Sequence, residues 1–89
     1  MDVVLLTQEE CAFCDRAKAL LYRLSAEFPL SVVTLDLNTP QGREMAERGG
    51  ILFAPGIFID GEAVCYGRPS ERRLRREIVS RLGSLHMNG

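Results

Sequence analysis

Cysteine is scarce in this chain, and its three copies are unevenly spaced. Two of them form the motif Cys11-x-x-Cys14, and the third, Cys65, stands alone. Small secreted proteins that rely on disulfides carry many cysteines, usually in even number. The odd count of three therefore argues against a disulfide-stapled scaffold. We expect a cytoplasmic protein whose close pair is either reactive or metal-binding.

Long apolar segments are also missing. The first apolar run, Val3 to Leu6, is four residues long and has no basic residue before it. A membrane helix needs about 20 apolar residues, and a secretory signal begins with positive charge. We therefore expect neither a signal peptide nor a membrane partner. The length of 89 residues corresponds to one small domain.

A strong excess of either charge is absent as well. The net charge is −1, so no global field attracts nucleic acid, and we expect no nucleic-acid partner. Six arginines nevertheless fall between residue 51 and the end of the chain. Most of them lie on the last predicted helix, where they would form a solvated face. Arg68 lies in the loop before that helix. This loop borders the candidate site around the close cysteine pair.

The predicted elements follow the order β-α-β-α-β-β-α. Short apolar runs rich in β-branched residues indicate buried strands, whereas apolar residues three and four positions apart indicate helices. The predicted strands span residues 3–6, 30–37, 55–60 and 62–66. The predicted helices begin at Cys11, at Pro40 behind a Thr39 cap, and behind a Ser70 cap. A strand–helix–strand unit followed by a hairpin predicts an α/β fold, in which a mixed four-stranded sheet has helices on both faces.

The close cysteine pair would lie where the first strand leads into the first helix. A helix N-terminus carries partial positive charge and unpaired N–H groups, and both stabilise a thiolate. Cys14 follows Cys11 by nearly one turn on the same side, so the two sulfurs can bond. These positions predict an exposed, attacking Cys11 and a deeper, resolving Cys14 in thiol–disulfide exchange.

Two segments resemble a known family. The segment "CAFCDRAKALL" (residues 11–21) resembles the active-site segment of glutaredoxins, and "FAPGIFIDG" (residues 53–61) resembles their Val-Pro-x-(Ile/Val)-Phe-Ile-Asp-Gly segment. The resemblance implies a minimal thioredoxin fold, a dithiol–disulfide oxidoreductase with Cys11 and Cys14 as catalytic residues, and a cis-proline at Pro55 facing them. We accordingly expect residues 1–89 to form a single glutaredoxin-like domain, with residues 83–89 as a frayed tail.

The chain departs from that family where glutathione would bind. Gln8 stands where glutaredoxins often carry lysine, Phe13 replaces a tyrosine, and "CYGRP" (residues 65–69) replaces a stretch with paired glycines. We expect no bound cofactor, and either glutathione or a thioredoxin-reductase-type system as the reductant. The substrate-binding residues that we assign are Gln8, Phe13, Ala54, Pro55, Gly67 and Arg68.

The expected partners are a disulfide-containing protein or small-molecule thiol as substrate, together with a reductase, and we expect a monomer. Cys65 should end the fourth strand at the active-site edge without bonding to either member of the close pair. A structural zinc usually has two close ligand pairs, and beyond one pair the chain offers only Cys65 and His86; we expect no metal site. Two alternatives stay open: an iron–sulfur or zinc carrier with Cys11 as ligand, and a thioredoxin-fold binding module with an idle dithiol.

Overall fold

Four strands and three helices follow one another in the predicted order. The computed structural model describes residues 1–87, with side chains as far as residue 83. The strands are β1 Asp2–Thr7, β2 Ser31–Asp36, β3 Gly56–Ile59 and β4 Glu62–Tyr66, and the helices are α1 Ala12–Ser25, α2 Pro40–Gly49 and α3 Glu71–Met87. Within this part of the chain, no helix is long and apolar enough to cross a membrane.

The sheet has the strand order β2-β1-β3-β4. Strand β1 pairs in parallel with β2, whereas β3 is antiparallel to both β1 and β4. Leu6 near the end of β1 pairs with Gly56 at the start of β3, and Gly56 pairs in turn with Tyr66 at the end of β4. The end of β1, the start of β3 and the end of β4 therefore share one edge of the sheet.

Apolar side chains cover both faces of the sheet, which confirms the predicted architecture. One core joins β1, β3 and β4 to helices α1 and α3, and its fully buried members include Leu5, Leu21, Ile57, Leu74 and Ile78. The smaller core on the opposite face lies under α2 and contains Leu6, Ala46, Ile51 and Phe58. Successive residues of β1, such as Leu5 and Leu6, belong to different cores because successive side chains of a strand point to opposite faces.

The helix ends use the capping residues that the sequence predicts. The Thr39 hydroxyl oxygen accepts a hydrogen bond from the Gly42 N–H (3.0 Å), and Pro40 occupies the first turn of α2. The Ser70 hydroxyl oxygen accepts from the Arg73 N–H (3.3 Å) at the start of α3. Helix α2 ends at Gly49, and its C-cap Gly50 has a φ of 69°, the left-handed conformation that glycine adopts most readily.

Two expectations differ from the structure. We predicted a buried strand over residues 30–37, but β2 is an edge strand on which Val32 and Val33 are exposed. The sheet order decides this, because β1 and β3 take the two central positions. We also predicted a frayed tail from residue 83, but α3 continues to Met87. No proline interrupts that stretch, and a single Gly83 costs a helix only about 1 kcal/mol; residues 88 and 89 lie outside the described part of the chain.

A network of ion pairs links the C-terminal end of α1 to the start of α3. Arg75 forms a bidentate contact with Glu27, with both N···O distances at 2.9 Å, and a further contact of 3.2 Å with Glu71. Arg23 contacts the other oxygen of Glu71 at 3.0 Å. The hydrogen bonds from Arg75 lower the pKa of the Glu27 carboxyl below its ordinary value.

This shift predicts a pH-dependent contribution to stability. Because the folded-state pKa of Glu27 is depressed, its contribution is fully present above the unfolded value of about 4.3 and is lost as pH falls through the folded value. Glu27→Gln should therefore melt slightly below wild type at neutral pH, with a difference that disappears in acid. Thermal melts between neutral pH and pH 3 measure this, with Glu44→Gln on α2 as the control for losing one exposed charge. A Glu27→Gln difference that persists unchanged in acid would contradict the assignment.

Candidate functional site

The two close cysteines lie at the junction of β1 and α1. Cys11 is the N-cap of α1, with the extended backbone (φ −121°, ψ 102°) that an N-cap adopts. Cys14 is in the first turn of the helix, and its Cα atom is 5.1 Å from that of Cys11. The two sulfur atoms are at disulfide distance, and this Cα separation lies within the range that disulfides span. The predicted close pair is thus positioned for reversible oxidation.

The sulfur atoms of Cys11 and Cys14 have different environments at the start of α1. The Cys14 backbone N–H donates a hydrogen bond to Cys11 Sγ at 3.1 Å. Cys11 is partly exposed, whereas Cys14 is only 3% exposed. A hydrogen bond from a helix N-terminal N–H stabilises the charged form of an acceptor. The geometry therefore favours a thiolate at Cys11 and shields the sulfur of Cys14 from large molecules.

Glu10, the residue before the N-cap, has a left-handed backbone conformation with φ at 50°. This conformation is uncommon for residues other than glycine, asparagine and aspartate, and such strain often occurs at functional sites. It forms part of the turn that carries the chain from β1 into α1. The sequence contained no signal for it, because glutamate has no preference for this conformation.

The Ala54–Pro55 peptide bond is cis, as the resemblance implied. Gly56 pairs with Leu6, so Pro55 lies one position further toward the edge where β1 ends and the dithiol segment begins. The Pro55 carbonyl accepts a hydrogen bond from the Gly67 N–H at 2.8 Å. This bond attaches the loop after β4 to the proline segment. The tertiary structure thus brings three separate stretches of sequence to one edge.

An aromatic pair, which sequence reasoning did not single out, lies beside this proline segment. The rings of Phe53 and Tyr66 pack edge to face, with centroids 5.2 Å apart and planes at 82°. Gly67 has φ at 83°, and a Cβ atom there would lie 3.1 Å from the ring of Phe53. A side chain at Gly67 would therefore crowd the aromatic pair. The sequence did contain one signal for this pair. Phe53 directly precedes Ala54 and Pro55, and a solvated loop has no need of a large apolar side chain at that position.

The remaining predicted residues are exposed around this edge. Gln8 follows β1, Arg68 follows Gly67, and Phe13 is on the first turn of α1. The Arg16 guanidinium lies 5.6 Å from the centroid of the Phe13 ring. Among residues 1–83, the side chains of Gln8 and Arg68 make no hydrogen bond or ion pair. The structure thus leaves both of these polar groups available to solvent or ligand.

Cys65 lies in β4, one residue before its end, and is a free thiol. It pairs with Ile57, and the register then shifts so that Val64 is an extra residue in β4. Arg73 of α3 donates a hydrogen bond of 3.1 Å to the Val64 carbonyl. Burial raises the pKa of the Cys65 thiol, an effect that the charge of Arg73 partly opposes. A raised pKa disfavours the reactive thiolate.

Metal-ligating side chains do not cluster in the described residues: no group of three or more His, Cys, Asp or Glu side chains there is placed to hold an ion. The side chain of His86 lies outside the described part of the chain.

Comparison with known proteins decides the family. The family model described as Glutaredoxin matches residues 3–64, which include the dithiol and the proline segment. The chain belongs to the glutaredoxin family. Glutaredoxin 3 of Escherichia coli is 36% identical over 63 residues, covering 71% of this glutaredoxin and 74% of that protein. A protein named thioredoxin from Methanocaldococcus jannaschii is 29% identical over 80 residues, covering 90% and 94% of the two chains.

Structural comparison agrees with this family. The solution structure of glutaredoxin from Brucella melitensis superposes with a TM-score of 0.61 and 37% identity, covering 96% of this glutaredoxin and 87% of that chain. The protein is therefore a thioredoxin-fold, dithiol–disulfide oxidoreductase with its CxxC motif at disulfide distance. Glutaredoxins act on disulfide substrates and are reduced in turn by an external reductant.

Proposed function

We propose that Cys11 is the attacking thiol and Cys14 the resolving thiol in the reduction of protein disulfides. The observation that carries this proposal is the asymmetry at the helix start. The Cys11 sulfur accepts the Cys14 N–H and is partly exposed, whereas Cys14 is buried. A low thiol pKa and access to solvent are the two properties that an attacking cysteine needs.

The reaction proceeds in two exchanges. The Cys11 thiolate attacks one sulfur of the substrate disulfide, forms a mixed disulfide and releases the other sulfur as a thiolate. The Cys14 thiolate then attacks the sulfur of Cys11, releases the second substrate thiolate and leaves a Cys11–Cys14 disulfide. Two electrons pass to the substrate, and an external dithiol or thiol returns the pair to its reduced form.

Ala54 and Pro55 align the substrate main chain next to the dithiol. Proline has no N–H, and the Pro55 carbonyl is already bonded to the N–H of Gly67. Ala54 as a whole residue is 6% exposed, but within residues 1–87 its backbone N–H and carbonyl make no backbone hydrogen bond. An extended polypeptide can pair with such free groups as an added strand does. We assign Phe13, Gly67 and Arg68 to the same binding position, where the Gly67 backbone is bonded to Pro55.

A thioredoxin-reductase-type system is the proposed reductant, with glutathione a weak one. Glutathione is an anion, and Gln8 offers it hydrogen bonds without charge. Losing one charged contact costs on the order of 1.5–3 kcal/mol, which is roughly tenfold to hundredfold in affinity. A bidentate contact between Arg68 and one carboxylate of glutathione recovers part of that lost affinity. The relative named thioredoxin supports this choice, and we place the reaction in the cytoplasm with the protein acting as a monomer.

Two coupled assays test the reductant. Consumption of NADPH is followed with a disulfide substrate at equal protein concentration, using glutathione and glutathione reductase in one assay and thioredoxin reductase in the other. We expect faster turnover with thioredoxin reductase. Gln8→Lys should raise the rate at limiting glutathione by about tenfold, because it restores one charged contact.

The matched comparison is Gln8→Glu, which alters the same position but repels the glutathione carboxylates and should slow the glutathione assay further. Efficient turnover of wild type only with glutathione, together with no effect of Gln8→Lys, would show that the charge at position 8 does not govern the choice of reductant.

A further inference from the structure

Three of the eight large apolar side chains that are exposed in the described part of the chain adjoin the proline segment in sequence or across the sheet. Leu52 is 76% exposed, Phe53 54% and Tyr66 40%. We call these three residues the aromatic shelf. Leu52 and Phe53 come directly before Ala54, and Tyr66 comes directly before Gly67, so the shelf adjoins the proposed binding segment on two sides. Large exposed apolar side chains grouped at a functional edge mark an interaction surface rather than scattered surface residues.

The shelf is a built feature, with its rings held in place by neighbouring contacts. Phe53 and Tyr66 hold each other edge to face at 5.2 Å. The Phe53 ring covers Gly67, the one residue type that leaves room for it, and the Gly67 N–H is bonded to the Pro55 carbonyl. Tyr66 pairs across the sheet with Gly56. The rings are thus tied to the same backbone that presents Ala54.

We propose that the aromatic shelf determines substrate specificity by binding an apolar side chain that lies within two residues of the reactive cysteine of a protein disulfide. This inference rests on the proposed alignment of an extended substrate beside Ala54. The Phe53 ring lies against Gly67, and the Gly67 N–H is bonded to the Pro55 carbonyl, so the rings adjoin the position that the substrate main chain would take. In an extended chain, side chains two residues apart lie on the same face and about 6.6 Å from each other, so an apolar residue two positions from the substrate cysteine is placed to contact the rings.

The chemistry of the shelf selects one class of substrate. Phe53 and Leu52 offer no hydrogen-bonding group, and Tyr66 offers only its hydroxyl. Covering these three side chains with aliphatic or aromatic groups is favourable because it removes apolar area from water. A leucine, methionine or phenylalanine beside the substrate cysteine fits these requirements, whereas a serine there does not.

The test uses two extended peptide disulfides with a fluorescence reporter. They are identical except that one has leucine and the other has serine two residues from the cysteine. We expect the ratio of kcat/KM values, leucine peptide over serine peptide, to be about tenfold for wild type, the size of the effect that apolar pocket contacts have on specificity. Phe53→Ala, and Phe53→Ala combined with Tyr66→Ala, should bring the ratio close to one, while Phe53→Leu should keep much of it.

Tyr22→Ala is the matched control, because Tyr22 is an aromatic residue on α1 that is 82% exposed and does not pack against Phe53 or Tyr66. The ratio for this variant should equal that of wild type. Because a ratio cancels the fraction of active protein, partial unfolding of a variant does not imitate the effect. A wild-type ratio near one, or a tenfold ratio that survives in the double variant, overturns the proposal while leaving peptide reduction intact. Failure of wild type to reduce either peptide would instead refute the proposed function itself.

A second copy of this chain is the other occupant that an exposed apolar surface could receive. A wild-type dimer in solution that dissociates on Phe53→Ala would assign the shelf to self-association and overturn the proposal. A monomer at assay concentration for both proteins supports it.

Discussion

Replacing Cys11 with serine is expected to reduce the turnover of a disulfide substrate to the rate measured without protein. A serine hydroxyl is not ionised near neutral pH, so the variant has no nucleophile at the helix N-terminus. Cys14 cannot take over the first attack, because it is 3% exposed. The NADPH-coupled assay measures this loss directly, and a residual rate well above background would show that a second thiol attacks the substrate.

Replacing Cys14 with serine should have a different consequence. The first exchange still occurs at Cys11, but no thiol resolves the mixed disulfide, so the adduct accumulates and appears in the mass spectrum of the intact protein. Cys65→Ala is the matched control: it removes the third thiol, whose pKa is raised by burial, and should form no stable adduct during turnover. Accumulation of adducts in Cys11→Ser rather than in Cys14→Ser would reverse the two roles.

Gly42→Ala is expected to destabilise the fold by more than any surface substitution. A Cβ atom at Gly42 would overlap the Asp36 carbonyl oxygen and lie 3.0 Å from the Cα atom of Leu37. Both partners are backbone atoms at the end of β2, so neither can move aside as a flexible side chain does. Overpacking of this kind costs about 1–3 kcal/mol or more, which corresponds to a fall in melting temperature on the order of 10 °C in a domain of this size.

The matched control is Gly83→Ala on α3. A Cβ atom there meets nothing within 4 Å in the described part of the chain, so the alanine should stabilise the helix by about 0.5–1 kcal/mol. Thermal melts of the two variants should shift in opposite directions. A similar small shift in both would mean that α2 is not held as close to the end of β2 as the structure indicates.

Local chemistry made much of this fold and site predictable. Thr39 and Ser70 cap helices wherever they precede a helical pattern, because their hydroxyl oxygens accept the free N–H groups of the first turn. At the start of any helix, the spacing of Cys11 and Cys14 places their two sulfur atoms close enough to form a disulfide. These features depend on residues a few positions apart, so no knowledge of the rest of the molecule was needed.

Contacts between distant residues decided the rest. The apolar run at residues 30–37 is compatible with a central or an edge strand, and only the pairing of β1 with β3 placed it at the edge. The left-handed turn at Glu10 results from joining β1 to α1 in this packing, and glutamate itself does not favour it.

The sequence by itself therefore determined the order of elements, the helix caps and the reactive pair at a helix start, because each follows from local spacing and residue type. Only the tertiary structure decided what surrounds that pair. The register of β1, β3 and β4 joins Phe53, Tyr66 and Gly67 at one edge, although Phe53 and Tyr66 are separated in sequence by a whole hairpin. A surface built from residues so far apart has no periodic signal, since its members become neighbours only when the sheet forms.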